Sequence, residues 1–125
     1  MKLTTAEIKL MNIIWKEQPV GSGVLVKTCN EKFEWKKSTT YTFLKRLQER
    51  GAIVNENSVV TTLVSKEDIQ KEESLDIVDS LFDESISQFI NSYLSNREIN
   101  ENEVNEIKKA LGITTTDKKF IRFEI

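Results

Sequence analysis

The chain has 125 residues, of which 38% are hydrophobic and 30% are charged, and its formal net charge at pH 7 is −2. This length fits one domain, or one small domain with an appendage, and no apolar run approaches the ~18 residues of a membrane-spanning helix. One cysteine and no histidine exclude an internal disulfide and the usual acid–base catalyst, and they predict a cytoplasmic protein that is not an enzyme and uses no cofactor or metal.

Capping signals and apolar spacing predict two helices in the first thirty residues. The first covers residues 4–16 and begins with a capping box formed by Thr4 and Glu7. The second covers residues 22–30, with Ser22 as its predicted N-cap. The residues expected to face inward on this second helix are Val24, Leu25 and Cys29.

The stretch from Trp35 to Ile53 predicts a third helix with two chemically different faces, ended by Gly51. Its apolar stripe has the spacing i, i+3, i+4, i+7 and consists of Thr40, Phe43, Leu44 and Leu47. The other faces carry hydroxyl groups and positive charges, which suit the base edges and phosphates of a DNA groove. We expect base contacts from Ser38, Thr39, Tyr41 and Thr42, and phosphate contacts from Lys36, Lys37, Lys45 and Arg46.

The charge of the two halves favours DNA binding. Considered alone, the third helix fits an ordinary solvated surface helix equally well. Residues 1–66 contain eleven Lys and Arg and six Glu, a net charge of +5, whereas residues 67–125 contain seven Lys and Arg and fourteen Asp and Glu, a net charge of −7. Such asymmetry indicates that the basic half meets a polyanion.

The residues after Gly51 change from helical to strand-like spacing. Segments 52–55 and 59–64 are rich in β-branched residues and predict a hairpin with its turn at 56–58. Three helices followed by a hairpin form the plan of a winged helix-turn-helix, whose third helix enters the major groove. We therefore expect a DNA-binding domain over residues 1–66.

The rest of the chain is predicted to be a helical dimerisation domain over residues 67–112. A long helix is expected over 65–94, with room for a break near Leu75, and a last helix over 100–111. Their broad apolar faces need a partner, and a second copy that forms a two-fold homodimer is the economical one; packing against the winged helix of the same chain is the alternative. The residues expected at the dimer interface are Leu75, Val78, Phe82, Ile86, Phe89, Ile90, Tyr93, Val104, Ile107 and Leu111.

The predicted fold is therefore mainly α: an N-terminal winged helix-turn-helix of three helices and a β-hairpin wing, followed by a helical dimerisation domain. Residues 113–125 form a C-terminal tail. Its large apolar side chains are Phe120, Ile121, Phe123 and Ile125.

Three stretches together resemble the penicillinase repressors, the BlaI/MecI-type transcriptional repressors. They are TTAEIKLMNIIWK at 4–16, WKKSTTYTFLKRLQERGAI at 35–53 and an Asn-x-x-Glu-x-x-x-Ile pattern at 100–107. The resemblance covers about residues 3–111. The positions that match the family pattern are Glu7, Met11, Ile14, Trp15, Trp35, Thr39, Thr42, Leu44, Arg46, Leu47 and Gly51.

The resemblance implies a homodimer on a palindromic DNA operator that blocks transcription of β-lactam-resistance or related genes. It also implies release by proteolysis, in which a membrane sensor protease system triggers cleavage within the long C-terminal helix and the dimer falls apart. The cleaved Asn-Phe bond of the family aligns with Ser92-Tyr93. The chain itself is not expected to insert into a membrane.

Two departures from the family pattern concern the DNA-binding half. The family opens its recognition helix with Ser-Pro, where this chain has Lys36-Lys37. This change removes an N-cap and adds two positive charges. The wing segment NENSVVTTLV lacks the arginine and aromatic residues of the family wing, so we expect little electrostatic attraction from it.

Two other regulatory functions stay open at this point. One is a winged helix that binds a protein instead of DNA, for which a basic half is not needed. A gel shift with random competitor DNA would distinguish protein binding from DNA binding. A regulator of another regulon would respond to a ligand or protein partner bound by the acidic half.

Overall fold

The structure, a computed structural model, describes residues 1–113, and the chain divides into two compact units, Met1–Ile77 and Val78–Ile125. Residues 1–65 of the first unit contain three helices and a small sheet. In chain order these are α1 (Thr5–Glu17), β1 (Val20–Gly21), α2 (Ser22–Phe33), α3 (Lys37–Glu49), β2 (Ile53–Glu56) and β3 (Val59–Thr62). The strands are antiparallel in the order β1-β3-β2. This arrangement confirms the predicted winged helix-turn-helix, with β2 and β3 as the wing.

The start of α1 forms the predicted capping box. The Thr4 hydroxyl accepts the Glu7 N–H at 3.2 Å, and the Glu7 carboxylate accepts the Thr4 N–H at 2.9 Å. Two backbone donors that the helix leaves unpaired are thereby satisfied. The box fixes Glu7 at a buried position on the first turn of α1.

Helix α2 differs from its prediction in three respects. Its N-cap is Gly21 rather than Ser22, because strand β1 keeps the backbone extended through Gly21. It continues past Asn30 to Phe33. Val24 is 57% exposed instead of facing inward, because the buried stripe follows Ser22, Leu25 and Cys29, and Val24 lies about 100° away from Leu25 around the helix.

The core of the first unit lies between α1, α2, α3 and the sheet, and Ile69 on the following helix packs against it. Each fully buried aliphatic side chain contributes about 1.5–3 kcal/mol relative to leaving it in water. Cys29 is a core residue as predicted, and burial raises the pKa of its thiol. The largest fully buried residues are Leu10, Met11, Ile14, Leu25, Leu44, Leu47, Ile53 and Val60.

The predicted long helix is wrong, because the chain leaves the helix after residue 81. Helix α4 spans Lys66–Leu81 and α5 spans Ile86–Leu94, so the break lies at 82–85 and not near Leu75. Asp83 and Glu84 have φ of 49° and 64° there, and the Ser85 hydroxyl accepts the Gln88 N–H at 3.2 Å. A serine that caps a new helix competes with continuation of the old one.

The last described helix agrees with its prediction. Helix α6 spans Glu101–Ala110, and the Asn100 side chain accepts the Glu103 N–H at 2.8 Å. Gly112 follows with φ of 73°. The large apolar residues expected in the tail, Phe120, Ile121, Phe123 and Ile125, lie outside the described residues. None of the helices within residues 1–113 combines the length and apolar character needed to cross a membrane.

Candidate nucleic-acid interface

Helix α3 presents the predicted contact residues together on its solvent side. Its buried face is formed by Thr40, Leu44 and Leu47, with Phe43 half-buried beside them. These residues hold the helix against the core and leave its outer face to solvent. Of the eight predicted contact residues, seven are exposed and Thr39 is half-buried; the exposed ones are Lys36, Lys37, Ser38, Tyr41, Thr42, Lys45 and Arg46.

The first turn of α3 is electropositive for two reasons. Lys36 occupies the N-cap with an extended backbone, and its side chain makes no capping hydrogen bond. The first amides of the helix therefore keep their partial positive charge. The ammonium groups of Lys36 and Lys37 add two full charges at the same end. Such a terminus attracts a phosphate group.

Two hydroxyl groups on α3 already make contacts within the protein. The Thr42 hydroxyl donates to the Ser38 carbonyl at 2.8 Å, so it is left to accept hydrogen bonds. In a major groove it can accept from the amino group of adenine or cytosine. The Tyr41 hydroxyl lies 3.5 Å from the Ser22 hydroxyl on α2, and the Lys37 ammonium lies 5.9 Å from the Tyr41 ring centroid.

A row of three aromatic rings joins the end of α2 to α3. The centroids of Phe33 and Trp35 are 5.2 Å apart, and those of Trp35 and Phe43 are 5.0 Å apart. The Arg46 guanidinium lies 5.7 Å from the Phe43 centroid. This contact favours a defined position for the exposed cation.

Arg50, at the C-terminal end of α3, forms an ion pair within the protein. Its guanidinium donates to both Glu7 carboxylate oxygens, at 3.0 and 3.1 Å, and to the Lys2 carbonyl. Burial of Glu7 raises the pKa of this carboxyl, but the hydrogen bonds from Thr4 and the Arg50 charge outweigh burial and leave the pKa below its usual value. Arg50 is therefore the counter-ion of a carboxylate that is only 3% exposed.

The wing ends in a tight turn, in which Asn57 and Ser58 have φ of 52° and 64°. The Ser58 carbonyl accepts the Ser22 N–H at 2.8 Å. On the other edge of the hairpin, the Gln48 side chain accepts the Asn55 N–H at 2.9 Å.

Sequence reasoning missed these contacts of Ser22, Gln48 and Ser58. A polar residue in the last turn of a helix that precedes an edge strand is a signal that could have identified Gln48. The contacts of Ser22 with Ser58 and Tyr41 join segments far apart in the chain, and no local pattern indicates them.

The penicillinase repressor family model matches residues 3–112, which is nearly the whole chain. The chain belongs to this family. It is 22% identical over 122 residues to the penicillinase repressor of Bacillus licheniformis, a match that covers 94% of this chain and 95% of that protein. It is 20% identical over 115 residues to the methicillin resistance regulatory protein MecI of Mammaliicoccus sciuri, covering 89% and 94%.

Two solved structures are also similar. One is the solution structure of the DNA-binding domain of the repressor BlaI, with 27% identity and a TM-score of 0.48 over 54% of this chain and 87% of that one. The other is the monomeric form of Bacillus licheniformis BlaI in complex with the blaP half-operator, with 26% identity and a TM-score of 0.48 over 54% and 88%.

Family membership makes the chain a DNA-binding repressor and not an enzyme, as the sequence predicted. In this family member, the N-cap and the first residue of α3 are both lysines.

Proposed function

We propose that the chain represses transcription as a homodimer on a palindromic operator, with α3 of each protomer in the major groove of one half-site. The observation that carries this proposal is the exposed face of α3, where hydroxyl and basic side chains stand on a helix anchored in the core. Relatives named for penicillinase and methicillin resistance support β-lactam-resistance or related genes as the target.

The two kinds of side chain have different tasks in this arrangement. Hydroxyl groups facing base edges supply sequence discrimination, whereas basic groups facing phosphates supply affinity and register. A bidentate base contact is worth about 1–3 kcal/mol of discrimination, and single hydroxyl contacts are weaker. Specificity therefore has to come from two half-sites read together. The base-facing residues are Ser38, Thr39, Tyr41 and Thr42, and the phosphate-facing ones are Lys36, Lys37, Lys45 and Arg46.

Uncovered apolar side chains on the later helices support the dimer. Six of the ten predicted interface residues are exposed, which in water favours burial against another surface; they are Leu75, Ile86, Ile90, Tyr93, Ile107 and Leu111. The other four are half-buried and are Val78, Phe82, Phe89 and Val104. A second copy presenting the same residues would cover them with two-fold symmetry.

Proteolysis at Ser92-Tyr93 would end repression in the cytoplasm. Both residues are exposed and lie in the last turn of α5, which ends at Leu94. Helix ends open more easily than helix centres, so this bond can be presented to a protease after local unwinding. Cleavage there would separate Tyr93 and α6 from the earlier interface residues of α5, and a membrane sensor protease system is the proposed trigger.

Selection of bound duplexes from a random DNA pool tests the proposal. We expect a palindrome whose half-site centres are about one helical turn, 10–10.5 base pairs, or a multiple of it apart. A non-palindromic consensus would contradict the dimer, and recovery of no consensus would contradict operator binding.

The salt dependence of binding tests the phosphate contacts separately. Four basic residues per protomer would give up to about eight contacts, so affinity should fall by about 10³–10⁵ between 50 and 200 mM salt. Lys45→Ala should flatten this dependence, whereas Lys71→Ala, an exposed change on α4, should leave it unchanged. An affinity that barely changes with salt would contradict the assignment.

A further inference from the structure

The outer edge of the wing is bonded to the recognition helix by one side chain. Strand β2 lies at the edge of the sheet, so the outward N–H groups of this strand have no strand partner. The Asn55 N–H is instead accepted by Gln48 Oε1 at 2.9 Å. Gln48 lies in the last turn of α3. The hydrogen bond therefore joins the wing to the helix that the proposed function places in the major groove.

A second glutamine holds the hairpin from the other side. Gln18, which follows α1, accepts both the N–H and the hydroxyl of Thr62 at 2.9 Å. Strand β1 pairs only with Val59 and Val60 of β3, so Thr62 lies beyond the end of β1. The two glutamines thus make the same kind of contact at opposite edges of the hairpin, but only the Gln48 contact involves α3.

We propose that Gln48 is a positioning residue for DNA binding, which holds the wing on α3 so that both meet the duplex as one preorganised surface. The proposal rests on the proposed function and deepens it. Residues 53–62 contain no lysine, arginine or aromatic residue, and their only charged side chain is Glu56. Charge therefore gives the wing no attraction for DNA, and its contribution has to be geometric.

Preorganisation explains how a wing without basic side chains can raise affinity. A hairpin that must be ordered during association reduces the binding free energy by the cost of ordering it. The wing turn is already held on one side, because the Ser58 carbonyl accepts the Ser22 N–H. The Gln48–Asn55 bond holds β2 on the α3 side. In this proposal Gln48 acts through Asn55, by orienting the wing.

A matched pair of substitutions tests the role of Gln48 in the full chain. Gln48→Met keeps the length of the side chain and its helix propensity but removes the acceptor. We expect the affinity for the selected duplex to fall between about twofold and tenfold, the size of one lost hydrogen bond. Gln18→Met removes two hydrogen bonds from the same hairpin without touching α3, and we expect less than a twofold change.

A shuffled duplex of the same composition separates positioning from base reading. Contacts of the wing with the DNA backbone would carry no sequence information directly, so Gln48→Met should weaken binding to both duplexes by the same factor. A loss confined to the selected duplex would show that Gln48 reads a base and would overturn the proposal. Equal losses in the two methionine variants, or no loss in Gln48→Met, would also overturn it.

Amide hydrogen exchange at Asn55 tests the contact without DNA. The exchange rate should rise in Gln48→Met and stay at the wild-type level in Gln48→Glu, whose carboxylate keeps the acceptor. An unchanged rate in Gln48→Met would overturn the proposal. A wild-type chain that bound no duplex would contradict the proposed function. The exchange measurement needs no DNA, so it would still show whether Gln48 holds Asn55.

Discussion

At the scale of single residues, the ion pair between Glu7 and Arg50 joins α1 to α3. Glu7 lies on the first turn of α1, and Arg50 caps the end of α3. Glu7→Ala should lower the free energy of unfolding by about 1–3 kcal/mol, because buried hydrogen-bonding groups lose their partner. Urea unfolding at neutral pH measures the change. The control is Glu17→Ala on the same helix, where an exposed carboxylate is removed; equal losses would contradict the role given to Glu7.

The same contact should make the stability of the folded state depend on pH. Because the pKa of Glu7 is lowered in the folded state, its stabilisation is fully present above the pKa of the unfolded chain and is lost as the pH falls through the folded-state pKa. Stability should therefore decrease in acid below about pH 4.5, the ordinary value of a glutamate. Glu7→Gln cannot titrate and should flatten this part of the stability curve. An unchanged curve would show that other carboxyl groups cause the acid loss.

At the scale of elements, the residue at the N-cap of α3 is expected to affect stability and DNA affinity in opposite directions. Lys36 stands at the N-cap without a capping hydrogen bond. Lys36→Ser should stabilise the protein by about 0.5–1 kcal/mol through a capping hydroxyl, and should weaken DNA binding because a phosphate-facing charge is lost. Thermal unfolding and a binding titration measure the two effects.

Lys36→Ala is the matched control that separates the effect on stability from the effect on DNA binding. It removes the charge without supplying a cap, so its DNA affinity should match that of Lys36→Ser while its stability does not rise. A Lys36→Ser variant that binds as tightly as the wild type would contradict a phosphate contact by Lys36.

Element boundaries show which structural features were predictable from local sequence. The capping signals of Thr4 and Asn100 depend on residues three positions away, and both helices begin where those signals predict. Ser22 resembles a cap, but pairing of β1 with β3 places the boundary one residue earlier. The apolar stripe that predicted one helix to Leu94 continues across the break at 82–85, where Phe82 packs edge-to-face on Phe89 at 5.4 Å. Periodicity therefore identified the apolar face but could not detect the break.

At the scale of the whole molecule, the charge pattern predicted which half of the chain carries the exposed cations of α3, but the contacts within that half were not predictable. The basic half of the sequence coincides with the winged helix, and α3 carries the exposed cations as expected. The Gln48–Asn55 and Ser22–Tyr41 contacts depend on how a helix and a hairpin pack. Such contacts arise from tertiary structure, and for that reason a linear pattern misses them.

Tight operator binding should require two protomers, because one recognition helix with hydroxyl contacts supplies modest discrimination. Tyr93 is 50% exposed on α5, so Tyr93→Asp should leave the protomer folded while placing a charge in the proposed dimer interface. We expect a monomer by analytical ultracentrifugation and at least a hundredfold weaker operator binding, about 2.7 kcal/mol. Gln88→Asp, an exposed change on another face of α5, should remain dimeric. A Tyr93→Asp monomer that kept full affinity would show that one winged helix is sufficient and that the later helices have another role.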